Sequence, residues 1–432
     1  MGRCVNVKSS WLELLENKDF ETFQGLPWLF DAAKAHKIQW QGKLNYYNSL
    51  LDQKIQFLPI QINNTADEIT KIRLTTLYKG LVKQKSLVEA LLPELKTQQD
   101  ALLEAIQDRI PSSQFIGKYI NNIFRDWAWG EKEIEAAVKH WLPLFPKTEG
   151  LKFIFLGAGS CRLPLEIHKK LKPEFSIATD INPLLLTVAD KLIKGEKIEL
   201  VEFPQPVIEA KNVAIEHTLQ NSLDKTDNFH LVYADAINSP FKEKAFDVVA
   251  TPWLIDILPI SFQETAIRIN NSLKDGGFWL NSGPLSYSAY EKEESITPDE
   301  LASRLEKAGF SLEELISESL PYLQSKYSAQ KREETVISFR AKKKTHEKRP
   351  KKYSFLPEYL TDITKPITAT PELGRIYAQS EGDMQLLTLI DNKRSINDLA
   401  DLIAKQSNVN QQEIVNSLIA YFVTLFERSK TK

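Results

Sequence analysis

The sequence predicts an α/β protein whose central domain is a doubly wound, mostly parallel sheet. Short apolar strands alternate with helices from about residue 151 to residue 280, which is typical of such a sheet. A glycine-rich turn, Gly157-Ala158-Gly159-Ser160, directly follows the first of these strands. The second strand ends at Asp180, at the edge where parallel strands place their ligand-binding groups. These observations predict a ligand site at the carboxyl ends of the first two strands.

Composition fits a globular protein of two or three domains. The chain has 432 residues, 42% of them hydrophobic, and a formal net charge of −2, so it has no overall attraction to nucleic acid or membranes. Two cysteines, Cys4 and Cys161, exclude a disulfide framework and a cysteine-based zinc site, so we expect a cytoplasmic protein. No histidine or cysteine spacing indicates a metal site. We also expect neither a signal peptide nor a membrane span, because no apolar run approaches roughly 20 residues.

Residues 1–114 are predicted to form a helical region. Apolar residues recur every three or four positions between Leu77 and Leu95, and Leu102, Leu103 and Ile106 continue the pattern. The periodicity favours a structural layer of helices. A lid over a bound ligand is the alternative.

The segment 118–146 carries three tryptophans and an Arg-Asp pair just before the first buried strand. One interpretation is an amphipathic helix pair that packs on the edge of the sheet. The other is that Arg125 binds the carboxylate of a ligand, because a guanidinium group can bind a carboxylate through two hydrogen bonds. The sequence alone does not decide between them.

The turn after the first strand indicates the type of cofactor. A dinucleotide-binding turn requires a third glycine, but Arg162 and Leu163 follow Gly157 and Gly159 in this sequence. A turn with two glycines and an acid about twenty residues later suits S-adenosylmethionine, which has no phosphate group to bind.

The later part of the chain is predicted to complete the sheet. Residues 196–228 are polar and are predicted to be an irregular insertion. Residues 342–352 hold seven basic residues and one acid, and this run favours a solvated linker. Nucleic-acid contact is the alternative for the run, but no aromatic residues are interleaved, so we expect no such partner. The predicted strands are Leu231–Tyr233, Phe246–Ala250, Phe278–Asn281, a strand that begins at Phe310, and Val336–Phe339.

Four segments together resemble class I S-adenosylmethionine-dependent methyltransferases, and within that class the carnosine N-methyltransferase-like family. They are FRDWAWG (124–130), LGAGSCRLPLEI (156–167), WLIDIL (253–258) and GGFWLNSGPLSY (276–287). The resemblance covers about residues 115–342. It implies a seven-stranded Rossmann-like domain over residues 115–341, between the helical region 1–114 and the linker 342–352.

The resemblance also implies roles for individual residues. Asp256 would hold and orient the acceptor nitrogen of an imidazole-type substrate, and Tyr287 would line its pocket. Asp256 sits in an apolar context, where an unpaired carboxylate would be costly, so it is hard to explain as a structural residue. The residues implied to bind S-adenosylmethionine are Asn122, Arg125, Gly157, Gly159, Arg162, Asp180, Asp235 and Ala236.

Three departures from the family pattern concern the turn and the acceptor side. Cys161 stands where the family has a glycine, and it could crowd the cofactor. Ser288 stands where the family has a substrate-side histidine, and Lys331, Arg332 or Glu333 occupies the positions of its substrate-side tyrosines. These departures predict methyl transfer to a substrate other than carnosine. The resemblance implies that the acceptor is a nitrogen atom, in a small amine, an imidazole or a peptide.

Residues 353–432 are predicted to form a small, mostly helical, winged-helix-like domain. Its segment LTLIDNKRSINDLA is similar to the peptide-recognition domains of ribosomal peptide pathways. That similarity implies an alternative function, in which a peptide- or protein-modifying methyltransferase recognises its substrate through this domain. A non-catalytic binding protein on the same fold is the third hypothesis. The oligomeric state stays open.

Overall fold

A computed structural model describes residues 10–31, 33–95, 116–287, 295–352, 357–368, 381–405, 407 and 409–430. Two compact units are present, and residues 1–31, 48–94 and 116–352 belong to the first, the α/β unit. Residues 32–47, 95–115 and 353–432 belong to the second. The predicted domain boundaries at residues 114, 341 and 352 stay predictions. Leu102, Leu103, Ile106 and Ser288 lie outside the described residues.

A nine-stranded sheet forms the centre of the α/β unit, with the order β1-β2-β7-β4-β3-β8-β9-β11-β10. The strands from β2 to β9 in this order run parallel to their neighbours, whereas β1, β11 and β10 pair antiparallel. The predicted α/β class is therefore confirmed. The strands are β1 Glu21–Phe23, β2 Leu26–Leu29, β3 Lys152–Leu156, β4 Phe175–Asp180, β5 Ile198–Glu202, β6 Ile215–Leu219, β7 Phe229–Ala234, β8 Phe246–Pro252, β9 Leu273–Gly283, β10 Phe310–Tyr322 and β11 Arg332–Lys343.

The central strands are buried along almost their whole length, which explains their continuous apolar sequences. The α-helices are α1 Ala33–Asn64, α2 Glu68–Leu91, α3 Ile120–Phe124, α4 Glu131–Trp141, α5 Arg162–Leu171, α6 Pro183–Ile193, α7 Phe262–Ser272, α8 Leu301–Glu306, α9 Glu358–Thr361, α10 Glu381–Thr388, α11 Ile396–Ala404 and α12 Gln411–Lys430. A π-helix covers Arg125–Trp129, and short 3₁₀ helices cover Ser10–Leu14, Pro93–Leu95, Ile116–Tyr119, Leu142–Leu144, Ala210–Asn212, Ile255–Ile257 and Pro298–Glu300.

Two β-hairpins differ from the sequence predictions. Strands β1 and β2 lie in the region predicted to be helical, and β2 pairs parallel with β7 at the edge of the sheet. Their two-residue turn has Gln24 at φ 50° and Gly25 at φ 80°, which matches the twist of a tight hairpin. Strands β5 and β6 form a separate antiparallel pair in the stretch predicted to be irregular.

The basic run at residues 342–352 packs against the α/β unit, contrary to the prediction of a solvated linker. Lys343 ends β11, and its buried ammonium donates to the carbonyl oxygens of Asn270 and Leu273, both at 2.8 Å. Arg349 donates to the carbonyl of Phe241 at 3.1 Å. Lys343 and Arg349 therefore donate hydrogen bonds to backbone carbonyl groups of the α/β unit. Lysine and arginine often bind carbonyl groups in this way at the C-terminal ends of helices.

The second unit has its own hydrophobic cluster. Its members include Ile38 from α1, Ile396 and Leu399 from α11, and Phe422 from α12. In the described part of residues 353–432 the only β contact is an isolated bridge between Pro366 and Ser395, so the winged-helix assignment stays a prediction. Across the described ranges, no helix combines the length and apolar character that crossing a bilayer requires.

Candidate active site

The glycine turn after β3 adopts the backbone geometry for which glycine is suited. Gly157 has φ +67° and Gly159 has φ +60°. A Cβ atom on Gly157 would lie 2.7 Å from Leu254 Cδ1, whereas one on Gly159 would meet nothing within 4 Å. Gly157 is therefore fixed by packing against the chain, and Gly159 faces open space in which a ligand can approach the backbone.

Asp180, at the end of β4, fixes this turn. Its Oδ2 accepts a hydrogen bond from the Gly159 amide at 2.8 Å, and its Oδ1 accepts one from the Asn182 amide at 2.8 Å. Burial raises the pKa of Asp180 to about 6, although these amide hydrogen bonds oppose the rise. The strand ends thus bring the two predicted parts of the cofactor site, the turn and the acid, into direct contact.

Cys161 follows in the left-handed region, with φ +69°, which explains why the family carries a glycine at this position. Its side chain is fully buried, and its thiol lies 3.7 Å from the Gly159 carbonyl oxygen. The sulfur is therefore packed inside the protein.

The segment that contains Arg125 packs directly against the turn. Asp126 accepts hydrogen bonds from Arg125 Nε at 2.8 Å and from Ser160 Oγ at 2.6 Å. Trp127 Nε1 donates to the Ser160 carbonyl at 2.9 Å. The structure therefore supports the packing interpretation of this segment, and the same contacts also hold the Arg125 guanidinium beside the site.

The remaining residues predicted to bind the cofactor lie around this centre. Asn122 is half-buried on α3. Arg162 is buried at the start of α5, where it pairs with Glu166 at 3.1 Å. Asp235 follows β7 and accepts from the Ile237 amide at 2.9 Å, and burial raises its pKa. Ala236 lines a small, mainly apolar pocket together with Leu156, Leu254 and Leu258.

The two predicted acceptor-side residues are neighbours. Asp256 is buried on the 3₁₀ helix after β8, and burial, with a further contribution from the charge of Glu334, raises its pKa to about 6. Tyr287 is buried too, and burial followed by the charge of Asp256 raises the pKa of its phenol. In the part of the chain that the structure describes, the Tyr287 hydroxyl has no hydrogen-bond partner. A buried polar group of this kind is costly unless a ligand supplies its partner.

Three aromatic residues that the sequence analysis did not assign to the site also lie here. Trp253 has φ +51° and stacks on Tyr322, with ring centroids 4.4 Å apart and an interplanar angle of 21°. Burial, together with the charges of Asp180, Tyr322 and Asp256, raises the pKa of Tyr119 to about 12. Tyr119 is therefore within electrostatic range of both the cofactor-side acid and the acceptor-side acid.

A comparison of the sequence with known families identifies the family of this chain. The sequence profile of the carnosine N-methyltransferase family matches residues 104–348, which is more than half of the chain. The chain belongs to this family. It is therefore an S-adenosylmethionine-dependent methyltransferase, and the resemblance predicted over about residues 115–342 is confirmed. No curated protein matches the sequence of this methyltransferase.

Several solved structures resemble parts of the methyltransferase. A Haloferax volcanii complex of a methyltransferase activator with a proposed methyltransferase is 13% identical and covers 58% of this chain and 100% of that chain, at a TM-score of 0.36. A proposed methyltransferase from Bacillus halodurans is 14% identical and covers 50% and 100%, at a TM-score of 0.35. An S-adenosylmethionine-dependent methyltransferase from Mesorhizobium loti is 12% identical and covers 49% and 100%, at a TM-score of 0.34.

Proposed function

We propose that this protein transfers a methyl group from S-adenosylmethionine to a nitrogen atom of a small amine or imidazole other than carnosine. The observation that carries the proposal is the buried carboxylate of Asp256 beside the unpaired hydroxyl of Tyr287, near the aromatic pair Trp253 and Tyr322. A carboxylate with aromatic walls suits a nitrogen base that carries or develops positive charge.

The residues around the turn fit S-adenosylmethionine. The open space at Gly159 allows a ligand to contact the backbone. The acids Asp180 and Asp235 stand at strand ends, where ribose hydroxyls and an adenine amino group would find acceptors, and Ala236, next to Asp235, would lie beside the adenine ring. Arg125 and Asn122 would bind the carboxylate and amine of the methionine end.

The cofactor supplies an electrophilic methyl group on its sulfonium, so the protein mainly needs to position and desolvate the acceptor nitrogen. Asp256 would accept a hydrogen bond from the acceptor, which orients the nitrogen lone pair. With a pKa raised to about 6, it is charged at neutral pH and can take the proton that the acceptor loses. Tyr287 would donate its free hydroxyl to the acceptor, and Arg162 would support the turn.

A peptide substrate is the second candidate. The hydrophobic cluster of the second unit favours it, because a unit with its own core can carry a recognition surface of its own. In this version the active site is unchanged, and removal of residues 353–432 would abolish activity on the peptide while cofactor binding persists.

Calorimetric titration with S-adenosylmethionine and S-adenosylhomocysteine tests the cofactor site first. We expect binding by the wild type and a loss of at least about tenfold in affinity in Arg125→Ala, because a charge-assisted contact is lost. Arg340→Ala is the matched control, since Arg340 pairs with Glu313 and Glu314 on β10. Absence of cofactor binding by the wild type would refute the proposal.

Transfer of a radiolabelled methyl group to a panel of amines, imidazoles and peptides then identifies the acceptor class. Asp256→Asn should lower kcat while the affinity for the cofactor stays unchanged. Cofactor binding without transfer to any acceptor would instead favour the non-catalytic hypothesis.

A further inference from the structure

The end of the β10–β11 hairpin carries a charged pair beside the acceptor site. Tyr322 on β10 pairs directly with Arg332 on β11, and Leu320 pairs with Glu334. Side chains two residues apart on a strand share a face, so Arg332 and Glu334 lie on the same face as Tyr322. Glu333 projects from the opposite face, where it accepts from Ser319 Oγ at 3.1 Å.

Glu334 and Tyr322 together already bind a cationic group, the guanidinium of Arg332. The Arg332 guanidinium lies 5.0 Å from the centroid of the Tyr322 ring and forms an ion pair with Glu334. The Glu334 side chain is 17% exposed and that of Arg332 is 55% exposed, so the carboxylate is the inner member of the pair. An aromatic face together with an inner carboxylate is a recognition site for a positively charged group.

This cation site adjoins the acceptor pocket. Tyr322 also stacks on Trp253, which directly follows β8, and the Arg125 guanidinium lies 5.9 Å from the centroid of the Tyr322 ring. Glu334 is close enough to Asp256 for its charge to disfavour ionisation of that acid. Two carboxylates and an aromatic pair therefore lie together, and Arg332, the cation paired with Glu334, is the more exposed member of its pair.

We propose that Glu334 determines acceptor specificity by binding a second, positively charged amine of the substrate, which replaces the Arg332 guanidinium against Tyr322. The inference rests on the proposed function and names its substrate class, a diamine-type acceptor.

Calorimetry on the full-length protein loaded with S-adenosylhomocysteine tests this inference at pH 8. The probes are 1,4-diaminobutane against 1-aminobutane, and histamine against 4-methylimidazole, because the members of each pair differ by one amine. We expect the wild type to bind the probe with the extra amine about tenfold more tightly, which corresponds to one charge-assisted hydrogen bond. Glu334→Gln should remove this preference, whereas Glu333→Gln, the same change on the other face of β11, should retain it.

A second variant separates recognition from a structural role. Arg332→Gln removes the competing guanidinium, so it should bind 1,4-diaminobutane several-fold more tightly than the wild type does. If the Arg332–Glu334 ion pair only maintained the local structure, both Glu334→Gln and Arg332→Gln would bind 1,4-diaminobutane more weakly than the wild type. Equal binding of the paired probes, a preference that survives in Glu334→Gln, or no binding of any probe would overturn the inference. Binding of S-adenosylhomocysteine is measured first, so a failure of the proposed cofactor site is recognised separately.

Discussion

The proposed cofactor side and the proposed acceptor side of the candidate active site are built in different ways. On the cofactor side, the charged side chains already have short hydrogen bonds within the chain: Asp180 accepts from Gly159 and Asn182, and Asp126 accepts from Arg125. On the acceptor side, the buried Tyr287 hydroxyl has no hydrogen-bond partner in the described structure, whereas burial raises the pKa of Asp256 and of Asp180 alike to about 6. The first arrangement is pre-organised for one ligand. The second depends on a substrate to satisfy it, and it is therefore where substrate specificity can change.

The largest effect that should distinguish the two sides is expected at Gly159. An alanine there would meet no protein atom, so Gly159→Ala should cost only the left-handed backbone strain, about 1–2 kcal/mol. Its methyl group would occupy the space proposed for the cofactor and should weaken S-adenosylmethionine binding about a hundredfold, as overpacking of a fitted site does. Urea unfolding and calorimetry measure the two quantities. Gly157→Ala is the comparison, because its Cβ clashes with Leu254 and should mainly reduce stability.

Asp256 should show a stability effect that depends on pH. Folding raises its pKa to about 6, so the folded state holds the proton more tightly than the unfolded state. Its contribution to stability therefore falls as pH rises from about 4 to about 6 and remains unfavourable above that range. Asp256→Asn should be more stable than the wild type at pH 8, by up to about 3 kcal/mol, and nearly equal to it at pH 4.5.

The control for that prediction is Asp247→Asn at the opposite end of β8. Asp247 pairs with Lys274 at 2.8 Å and accepts from the Lys152 amide at 2.9 Å, so its loss should destabilise the protein at pH 8. If Asp256→Asn were equally destabilising at pH 8, its carboxylate would be satisfied by the protein, and the contrast between the two sides would fail.

Asp126 should mainly affect the cofactor side. Asp126→Asn weakens the bonds that hold Arg125 and Ser160, and we expect cofactor affinity to fall about tenfold to a hundredfold, as for loss of a charge-assisted hydrogen bond. Ser160→Ala should give a smaller fall, because Arg125 keeps its partner. Parallel titrations with S-adenosylhomocysteine check this order. An unchanged cofactor affinity in both variants would show that Arg125 is positioned by other contacts.

The smallest effect is expected at Cys161. Cys161→Gly relieves the φ +69° conformation but removes a fully buried side chain, so the two contributions nearly cancel, to within about 1 kcal/mol. Cys161→Ala keeps the strain and should be less stable than the glycine variant. Because the sulfur is packed inside the protein, both variants should bind the cofactor as the wild type does, and calorimetry checks this.

The difference between the two sides also explains what the sequence could predict. The sequence predicts the glycine turn and Asp180 because both lie within one stretch of thirty residues, 151–180. The two strands of that stretch pair parallel, so their carboxyl ends meet. Trp253 directly follows β8, Tyr322 ends β10 and Glu334 lies on β11, and only the register of β10 against β11 brings the last two onto one face. The spacing of residues along the sequence does not predict which distant strands pair or in which register.

The unpredicted hairpins have a similar cause. The β1–β2 turn uses Gln24 before Gly25, and glutamine is a weaker turn signal than asparagine or aspartate. The strands β5 and β6 are separated by residues 203–214, which include two prolines. This long connection makes the alternation of apolar and polar residues in each short strand hard to recognise. Short antiparallel pairs with long connections are hard to recognise without knowledge of their partners.

Arg125 has a consequence for how the two proposed binding sites influence each other. Its guanidinium lies 5.9 Å from the Tyr322 ring, and Glu133, on the helix that follows, accepts hydrogen bonds from the amides of Leu323 and Gln324 at 2.9 and 2.8 Å. A ligand that neutralises Arg125 therefore changes the field at the wall of the acceptor pocket. By thermodynamic linkage, each substrate then alters the affinity for the other by the same factor. We therefore expect the affinity for the acceptor and the affinity for S-adenosylmethionine each to change by the same factor when the other ligand is bound.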